Sequence, residues 1–398
     1  MNQLTAIAKN TCLQTMRQPV YGLIVLVTLF GFVLLPALTG WTLDDDNKML
    51  RDMGLSTLLM QGLILAVFAA SSVLDAEIED KTVMTVAAKP VSRYVFILGK
   101  FIGVVLAVTA SHYVAAIAFM MMMRHGVMQT AADTMDTTVL TFGLGFGLLA
   151  IITATVLNIL YEKRFLATIV LVVLPLFTLG GATLLFINKE WKFEGYVTKQ
   201  SVFNLPADLI KGPGFKGLVE FQPDPENSFI EGHNGHLVRS NWKGPINAED
   251  QDYLLSLSTS QEWKKQVNFL VQECRKVEGP ELIKAIVLIL FALVMIGSMA
   301  LAAATRFGAM ATFLAAILGL GVGLSTDQVL KPYITENAFA RVLYPLVPNF
   351  QFFWVLDALA DERVIPWSFI GSAGIYLVLY SAAFVALAAA LFETREVG

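Results

Sequence analysis

Charged residues are scarce in this 398-residue chain, where Asp, Glu, Lys and Arg make up 15% and hydrophobic residues make up 56%. Soluble domains carry about 25% charged residues. The basic residues form no run and do not outnumber the acidic ones, so the sequence gives no sign of nucleic-acid binding. The composition instead predicts a polytopic membrane protein whose spans contact membrane lipid.

Motifs of soluble-enzyme chemistry are also missing. The chain has no G-x-x-x-x-G-K-[ST] phosphate loop, no H-E-x-x-H pair and no paired-cysteine zinc spacing. His233 and His236 in "EGHNGH" would supply metal ligands together with Glu231, but their Gly-rich loop offers no further clear ligand. A solvated loop is the simpler interpretation. We therefore expect no catalytic residue, no metal and no cofactor in this chain.

Cysteine is rare as well, since the chain holds only Cys12 and Cys274. The topology predicted below places the two on opposite sides of the membrane, which excludes a disulfide between them. We interpret both as free structural thiols, and a bond from Cys274 to another chain is the alternative.

Long apolar runs are what the chain has in abundance. Eight of them carry few or no charges and have roughly the twenty residues that a helix needs to cross a bilayer. They predict an all-α polytopic membrane protein with about eight transmembrane helices. In chain order the runs are Val20–Thr39, Thr57–Leu74, Phe101–Met123, Thr138–Leu160, Leu166–Ile187, Glu281–Ala304, Ala309–Leu324 and Trp367–Phe392.

The distribution of Lys and Arg sets the predicted orientation. With the N-terminus inside, the inside segments hold ten basic residues in 60 positions, and the outside segments other than the long insertion hold six in 73. The acidic residues Asp44, Asp45 and Asp46 then lie outside. We therefore expect both termini to be cytoplasmic.

Four regions follow from this topology. Residues 1–19 carry an apolar stripe and predict an amphipathic helix along the cytoplasmic interface. Residues 20–187 hold the first five spans, and residues 281–398 hold the last three. Between them, residues 188–280 predict an inserted extracytoplasmic domain whose first half is irregular or partly β and whose second half is helical. The aromatic residues of 325–366 predict a helix at the outer interface.

Ionisable side chains are almost absent from the span interiors. His112, beside Ser111 in the third run, is a candidate intramembrane polar site, because such groups are costly in a bilayer and often functional. A neutral histidine hydrogen-bonded to a neighbouring helix is the alternative. The absence of Asp, Glu and Arg from the span interiors counts against an ion-coupled carrier.

Glycine and methionine patterns concern helix packing. Glycine pairs four residues apart permit close helix approach, either within the chain or between subunits. The four methionines at 120–123 turn through about 300° of helix, so they do not converge on a copper site, and we interpret them as packing or lipid-facing residues. The glycine pairs are Gly99 with Gly103, Gly143 with Gly147 and Gly319 with Gly323.

The segment 75–100 joins the second and third runs and starts with acidic residues. The apolar stretch "VMTVAA" follows, which Thr82 can cap and Pro90 ends, and Ser92 can cap the next helix. Apolar side chains outside lipid need a partner. The acidic residues before them disfavour anionic headgroups. Docking into a groove on a cytoplasmic protein is therefore preferred over a helix resting on the membrane.

The stretch "E-I-E-D-K-T-V", continued by "A-A-K-P-V-S-R" and "G-K", resembles the segment after the second span of ABC-2 type permeases. These are the transmembrane subunits of ABC transporters. Near the end of the chain, "PNFQFFWVLDAL" and the last span resemble the same family, and in particular its copper-maturation and gliding-type relatives. Six spans are usual there, so eight spans and the 188–280 domain depart from the pattern.

The resemblance implies an ABC-2 type permease fold in a bacterial cytoplasmic (inner) membrane. It also implies cytoplasmic ABC ATPase subunits that bind ATP and magnesium, and a second permease chain in a homodimer or heterodimer. In this sequence the ATPase-coupling residues that it implies are Glu77, Glu79, Thr82, Val83, Met84, Thr85, Pro90, Arg93 and Lys100.

The sequence thus leads to one main functional hypothesis and one alternative. In the first, the chain couples ATP hydrolysis by separate subunits to export or to mechanical work across the membrane, and 188–280 binds substrate or an extracytoplasmic protein. In the second, it is an ATP-independent carrier, or a scaffold that anchors an extracytoplasmic complex. Neither hypothesis gives this chain an enzymatic activity of its own.

Overall fold

The computed structural model describes residues 3–39, 46–79, 92–127, 135–187, 191, 201–206, 235–240, 278–335, 337–360 and 365–393. For residues 46–47, 75–79, 278–280, 339 and 360 and for the two strands it describes the backbone alone. The regular secondary structure of the described residues is helical apart from one pair of strands.

Eleven α-helices and two β-strands make up the described elements, and two 3-10 turns, Lys331–Tyr333 and Phe350–Phe353, lie among the last of them. In chain order these elements are α1 Gln3–Met16, α2 Pro19–Thr39, α3 Asp46–Glu79, α4 Arg93–His125, α5 Thr137–Tyr161, α6 Phe165–Leu184, β1 Ser201–Pro206, β2 Gly235–Ser240, α7 Glu278–Ala304, α8 Ala309–Val329, α9 Ala338–Leu343, α10 Leu356–Ala360 and α11 Trp367–Glu393.

Eight of the described helices are long and apolar enough to cross a membrane, namely α2 to α8 and α11. They coincide with the eight predicted runs, so the prediction of a polytopic membrane protein is confirmed. Successive spans alternate in direction. One side of the bundle therefore carries α1, the end of α3 and the start of α4, and we name it the α1 side. The opposite side, where α4 ends and α7 begins, we name the far side.

Helices α3, α4 and α8 extend well beyond an end of their predicted runs, and α4 does so by beginning at Arg93. Helix α8 continues from Leu324 to Val329, because the hydroxyl groups of Ser325 and Thr326 donate to the carbonyls of Gly321 and Val322 one turn earlier. Because these hydroxyl groups are hydrogen-bonded within the helix, the two polar residues do not end it. Helix α3 has 34 residues and is therefore about 51 Å long. It exceeds a hydrocarbon core of about 30 Å and protrudes from it.

Helix α7 is the centre of the bundle. It contacts α3, α4, α8 and α11, and its side chains Leu288, Leu293 and Ile296 have no exposed surface. A second apolar cluster joins α4, α5 and α6 through residues such as Ile117 and Val173. Helix α5 lies at the edge of the bundle, since only Ala150 and Ala154 are buried after its first two turns.

Helix α1 packs against the start of α4 at the first glycine pair. A side chain at Gly103 would lie 2.5 Å from Cβ of Thr11 and 2.7 Å from the carbonyl oxygen of Ala8, and one at Gly99 would meet Ile7. Only glycine leaves room for this approach. The predicted stripe of α1 is therefore buried on protein at Ala8, Thr11 and Thr15, with Lys9 and Arg17 exposed.

The segment 325–366 on the far side differs from the single interfacial helix that its aromatic residues predict. Pro332, Pro345 and Pro348 interrupt it, and proline removes a helical hydrogen bond. The described residues form short helical pieces instead. Phe350 and Phe353 are 1% exposed, Phe350 lies against Gly323 and Phe353 lies against Phe291, so these two aromatics belong to the core.

Strands β1 and β2 pair antiparallel, with Ser201 opposite Ser240 and Pro206 opposite Gly235. They fall in the half of 188–280 that is predicted to be irregular or partly β. The second half, with its predicted helices, lies outside the described residues up to the start of α7, as do His233 and Cys274.

Replacing Gly103 with leucine tests the packing of α1. The added side chain must displace Thr11 or the backbone at Ala8, so we expect the free energy of unfolding to fall by about 1–3 kcal/mol. Thermal unfolding of the purified chain in detergent measures this change. Gly371→Leu is the matched control, since a side chain there meets nothing within 4 Å and stability should be unaltered. Equal stabilities of the two variants would contradict the contact.

Candidate functional site

Helix α3 leads into the segment 75–100. Near its end the hydroxyl of Ser72 donates to Oε1 of Gln18, in the turn between α1 and α2, at 3.2 Å. The backbone remains helical through Glu77 to Glu79, so these two predicted coupling residues lie on a continuation of the span. Thr82, Val83, Met84, Thr85 and Pro90 lie outside the described residues, and the short helix predicted there stays a prediction.

Helix α4 starts immediately after that segment and is held at its first turn. Ser92 caps it, accepting a hydrogen bond from the Val95 amide at 3.3 Å, as its position predicts. Arg93 donates to the carbonyl of Glu393 at 3.0 Å, and the rings of Phe96 and Phe392 stack at 5.8 Å. The start of α4 is therefore attached to the end of α11.

Lys100 differs from its predicted place at the membrane surface. Its side chain is 2% exposed, and its ammonium lies 5.3 Å from the ring centroid of Phe96. A buried lysine needs compensating contacts, and a cation over an aromatic face is one of them. The residue helps to fix α4 within the bundle.

Helix α1 contacts both α3 and α4, the two helices that flank residues 80–91. On one flank the Gln18 turn holds Ser72 of α3, and on the other the body of α1 fills the Gly99 and Gly103 groove of α4. Helix α1 and the adjoining ends of α3, α4 and α11 form one group of contacting helices. We name this group the α1 mount. A force applied between residues 80 and 91 therefore acts on four helices that are joined by direct contacts.

His112 lies in a small polar group inside the bundle. Its Nε2 is 3.0 Å from the carbonyl of Ile286 in α7, and Gln61 of α3 donates to the hydroxyl of Ser111 at 2.5 Å. The carbonyl accepts, so Nε2 carries the proton. Nδ1 of His112 and Oε1 of Gln61 are buried without a hydrogen-bond partner. The contact with α7 is the one expected for a neutral packing histidine.

Arg124 joins the far-side ends of three spans. It donates to Asp136 at 3.2 Å and to the hydroxyl of Thr138 at 3.1 Å on the α5 side, and to the carbonyls of Leu184 and Ile187 after α6. No local pattern in the sequence pointed to this group, because its members come from separate helices. It fixes the far-side ends of α4, α5 and α6.

Asp136 also caps α5 through the hydroxyl of Thr138 and the amide of Val139. Burial alone raises the pKa of a carboxyl group, but the hydrogen bonds from Thr138 and Val139 and the charge of Arg124 outweigh it and lower the pKa of Asp136.

A second far-side group joins α7 to α11. Lys284 is 5% exposed, and its ammonium lies 2.6 Å from the carboxylate of Glu281, one turn earlier in α7. Its ammonium also donates to the carbonyl of Ile365 at 2.7 Å, and Glu281 accepts from the Ile365 amide at 2.8 Å. The ring of Trp367 lies beside Lys284, with its centroid 5.1 Å from the ammonium nitrogen.

The remaining glycine pairs differ from one another. Gly319 lies against Met299 of α7, and Gly323 lies against Pro348 and Phe350, so both make contacts within the chain. Gly143 and Gly147 instead line an open cavity together with two of the four consecutive methionines, Met121 and Met122. These two methionines are each 5% exposed. Within the described part of the chain, no three His, Cys, Asp or Glu residues converge on a metal site.

Replacing Asp136 with asparagine tests the Arg124 group. Asparagine can still cap α5 but cannot pair with the guanidinium, so we expect a loss of about 1–3 kcal/mol of stability near neutral pH. Because the pKa of Asp136 is lowered on folding, its contribution is present above the ordinary carboxyl pKa of about 3.9 and disappears as the pH falls through the folded value.

Thermal unfolding of both proteins between pH 7 and pH 3 checks this dependence. The difference between wild type and Asp136→Asn should shrink toward acid pH, and the exposed control Asp357→Asn should match wild type throughout. A difference that stays constant with pH would count against the ion pair.

No family model, curated protein or solved structure matches the chain.

Proposed function

We propose that the chain is the permease subunit of an ABC-2 type ABC transporter. In this role it couples ATP hydrolysis by separate cytoplasmic ATPase subunits to export or to mechanical work across the membrane. The observation that carries the proposal is the α1 mount. The segment with the ATPase-coupling resemblance is held at both ends by helices that contact one another, which is the arrangement that a lever requires.

The contacts support a specific route for the force. An ATPase bound between residues 80 and 91 would push on the protruding end of α3 and on the start of α4. Ser72 and Gln18 connect the first of these to α1, and Gly103 connects the second. Arg93 passes the same displacement to the end of α11. The α1 mount would therefore move as one body.

The far side has the opposite character in this proposal. The groups around Arg124 and Lys284 tie the outer ends of α4, α5, α6, α7 and α11 by charged hydrogen bonds, which are roughly twice as strong as neutral ones. A tilt imposed at the α1 side would thus turn about fixed outer ends. ATP and magnesium belong to the partner ATPase, and a second permease chain, identical or not, would complete the pathway.

The orientation and location follow from the same proposal. The α1 side faces the cytoplasm of a bacterial cell, the chain lies in its inner membrane, and 188–280 is extracytoplasmic. There it would bind substrate or another protein. An ion-coupled carrier receives less support, because its substrate site needs an ionisable group near the membrane midplane that can bind the ion, and the span interiors hold no Asp, Glu or Arg.

Site-specific photo-crosslinking tests the proposal in the native membrane. A benzophenone amino acid at Thr85 should capture a chain with a G-x-x-x-x-G-K-[ST] motif, identified by mass spectrometry. The same group at Glu162, which is exposed in the other α1-side loop between α5 and α6, is the matched control and should capture it far less. Failure to capture any nucleotide-binding chain at Thr85 would overturn the proposal.

Charge reversal at Glu77 and Glu79 gives a second measurement. We expect about tenfold less ATPase to copurify with the double lysine variant, because acidic residues at the rim steer association. Asp357→Lys reverses an exposed charge on the far side and should leave copurification unchanged. The scaffold alternative makes the reverse prediction, in which deletion of 188–280 abolishes assembly and the variants at Glu77 and Glu79 are silent.

A further inference from the structure

We infer that a cavity on one flank of the bundle binds an acyl chain of a membrane lipid. The cavity lies between α2, α4, α5 and α6 and has a volume of about 870 Å³. That is within the range of about 300–1,000 Å³ that ligand pockets occupy. The inference does not depend on the proposed function, because it rests on the chemistry, depth and opening of the cavity alone.

The walls of the cavity are hydrocarbon in character. Side chains such as Leu29, Phe32 and Met121 form them, and among the described residues that line the cavity only His125 has an ionisable side chain. Polar solutes lose their hydrogen bonds to water on entering such a space and recover none. The walls therefore select an apolar occupant.

The depth of the cavity matches one leaflet of a bilayer. Its lining on α2 extends from Ala37, near the far-side end of that helix, to Leu26, which is about 17 Å along the axis. Half of a hydrocarbon core of about 30 Å is about 15 Å. A single acyl chain of the far-side leaflet thus has the length to fill the cavity from its mouth to the middle of the membrane.

The cavity is open along its side rather than through the protein. Phe30 on α2 and Leu148 on α5 line it and are 63% and 59% exposed on the surface of the spans. Around a transmembrane bundle that surface is covered by lipid tails. An acyl chain can therefore enter sideways between α2 and α5 without leaving the hydrocarbon phase.

Helix α5 has two glycines and a widened turn where it borders the cavity. A side chain at Gly147 would meet nothing within 4 Å, and one at Gly143 would meet only the sulfur of Met121, at 3.8 Å. Between Thr141 and Gly145 the helix makes a π turn, a local widening that is frequent at functional sites. Two glycines and a π turn on the same wall give room for a ligand.

The mouth of the cavity lies at the level of the lipid headgroups. His125 stands there, and its Nδ1 donates to the carbonyl of Gly126 at 3.0 Å. The neighbouring Arg124 directs four hydrogen bonds to protein groups. The apolar walls of the cavity therefore recognise the acyl chain itself.

A phospholipid with a diazirine midway along one acyl chain tests this inference. The full-length protein is placed in nanodiscs that contain the probe, irradiated and mapped by mass spectrometry. We expect adducts on Met121, Ile169 and Val173, which line the cavity but are only 5%, 2% and 2% exposed. Lipid that merely surrounds the bundle would label exposed residues such as Val27 instead.

Variants that fill the cavity provide the comparison. Gly147→Phe should lower the labelling of these three residues about tenfold, because the ring occupies the apolar space that the chain would bury. Gly31→Phe is the matched control, since Gly31 lies on the neighbouring helix α2, also has nothing within 4 Å and is not part of the lining. Its labelling should equal wild type.

Three outcomes would overturn the inference. The first is lipid labelling confined to outward-facing residues of the wild type, and the second is equal labelling of the two phenylalanine variants. The third is that a second copy of the chain packs across α5 and the three lining residues carry no lipid adduct. Thermal unfolding checks that each variant is folded. If Gly147→Phe does not fold, Gly143→Phe supplies the same comparison, and the wild-type map decides the question by itself.

Discussion

The close approach of α1 to α4 is the contact on which the rest of the arrangement depends. It requires glycine at 99 and 103, because a side chain at Gly103 would lie within 3 Å of Thr11 and of the backbone at Ala8. Through this contact an otherwise peripheral helix becomes part of the bundle. It then connects α3 and α4, the two spans that flank residues 80–91, and so gives the segment 75–100 a rigid base.

Different contacts join the helices on the two sides of the bundle. Hydrogen bonds, small-residue packing and one aromatic stack join the helices of the α1 mount. The far side holds the ion pairs of Asp136 with Arg124 and of Lys284 with Glu281. Separating such a pair leaves an unpaired charge in a medium of low polarity. Under the proposed function, the motion would therefore turn about the far-side ends.

Much of the fold could be predicted from local sequence patterns, and the site only in part. Eight apolar runs gave eight spans, and Ser92 caps α4 as its position indicates. The Arg124 group, the burial of Lys100 and the two core phenylalanines of 325–366 were missed. Each depends on residues far apart in the chain, and hydropathy records how apolar a segment is but not which helix faces it.

Pulsed electron paramagnetic resonance offers the most direct test of the α1 mount as a lever base. Spin labels at Lys9 and Tyr94, both exposed, report on α1 against α4, and labels at Lys9 and Glu162 report on α1 against the α5–α6 loop. When the copurified ATPase is trapped with magnesium, ATP and vanadate, the first distance should stay constant and the second should change. A change of the first distance as large as that of the second would contradict the account.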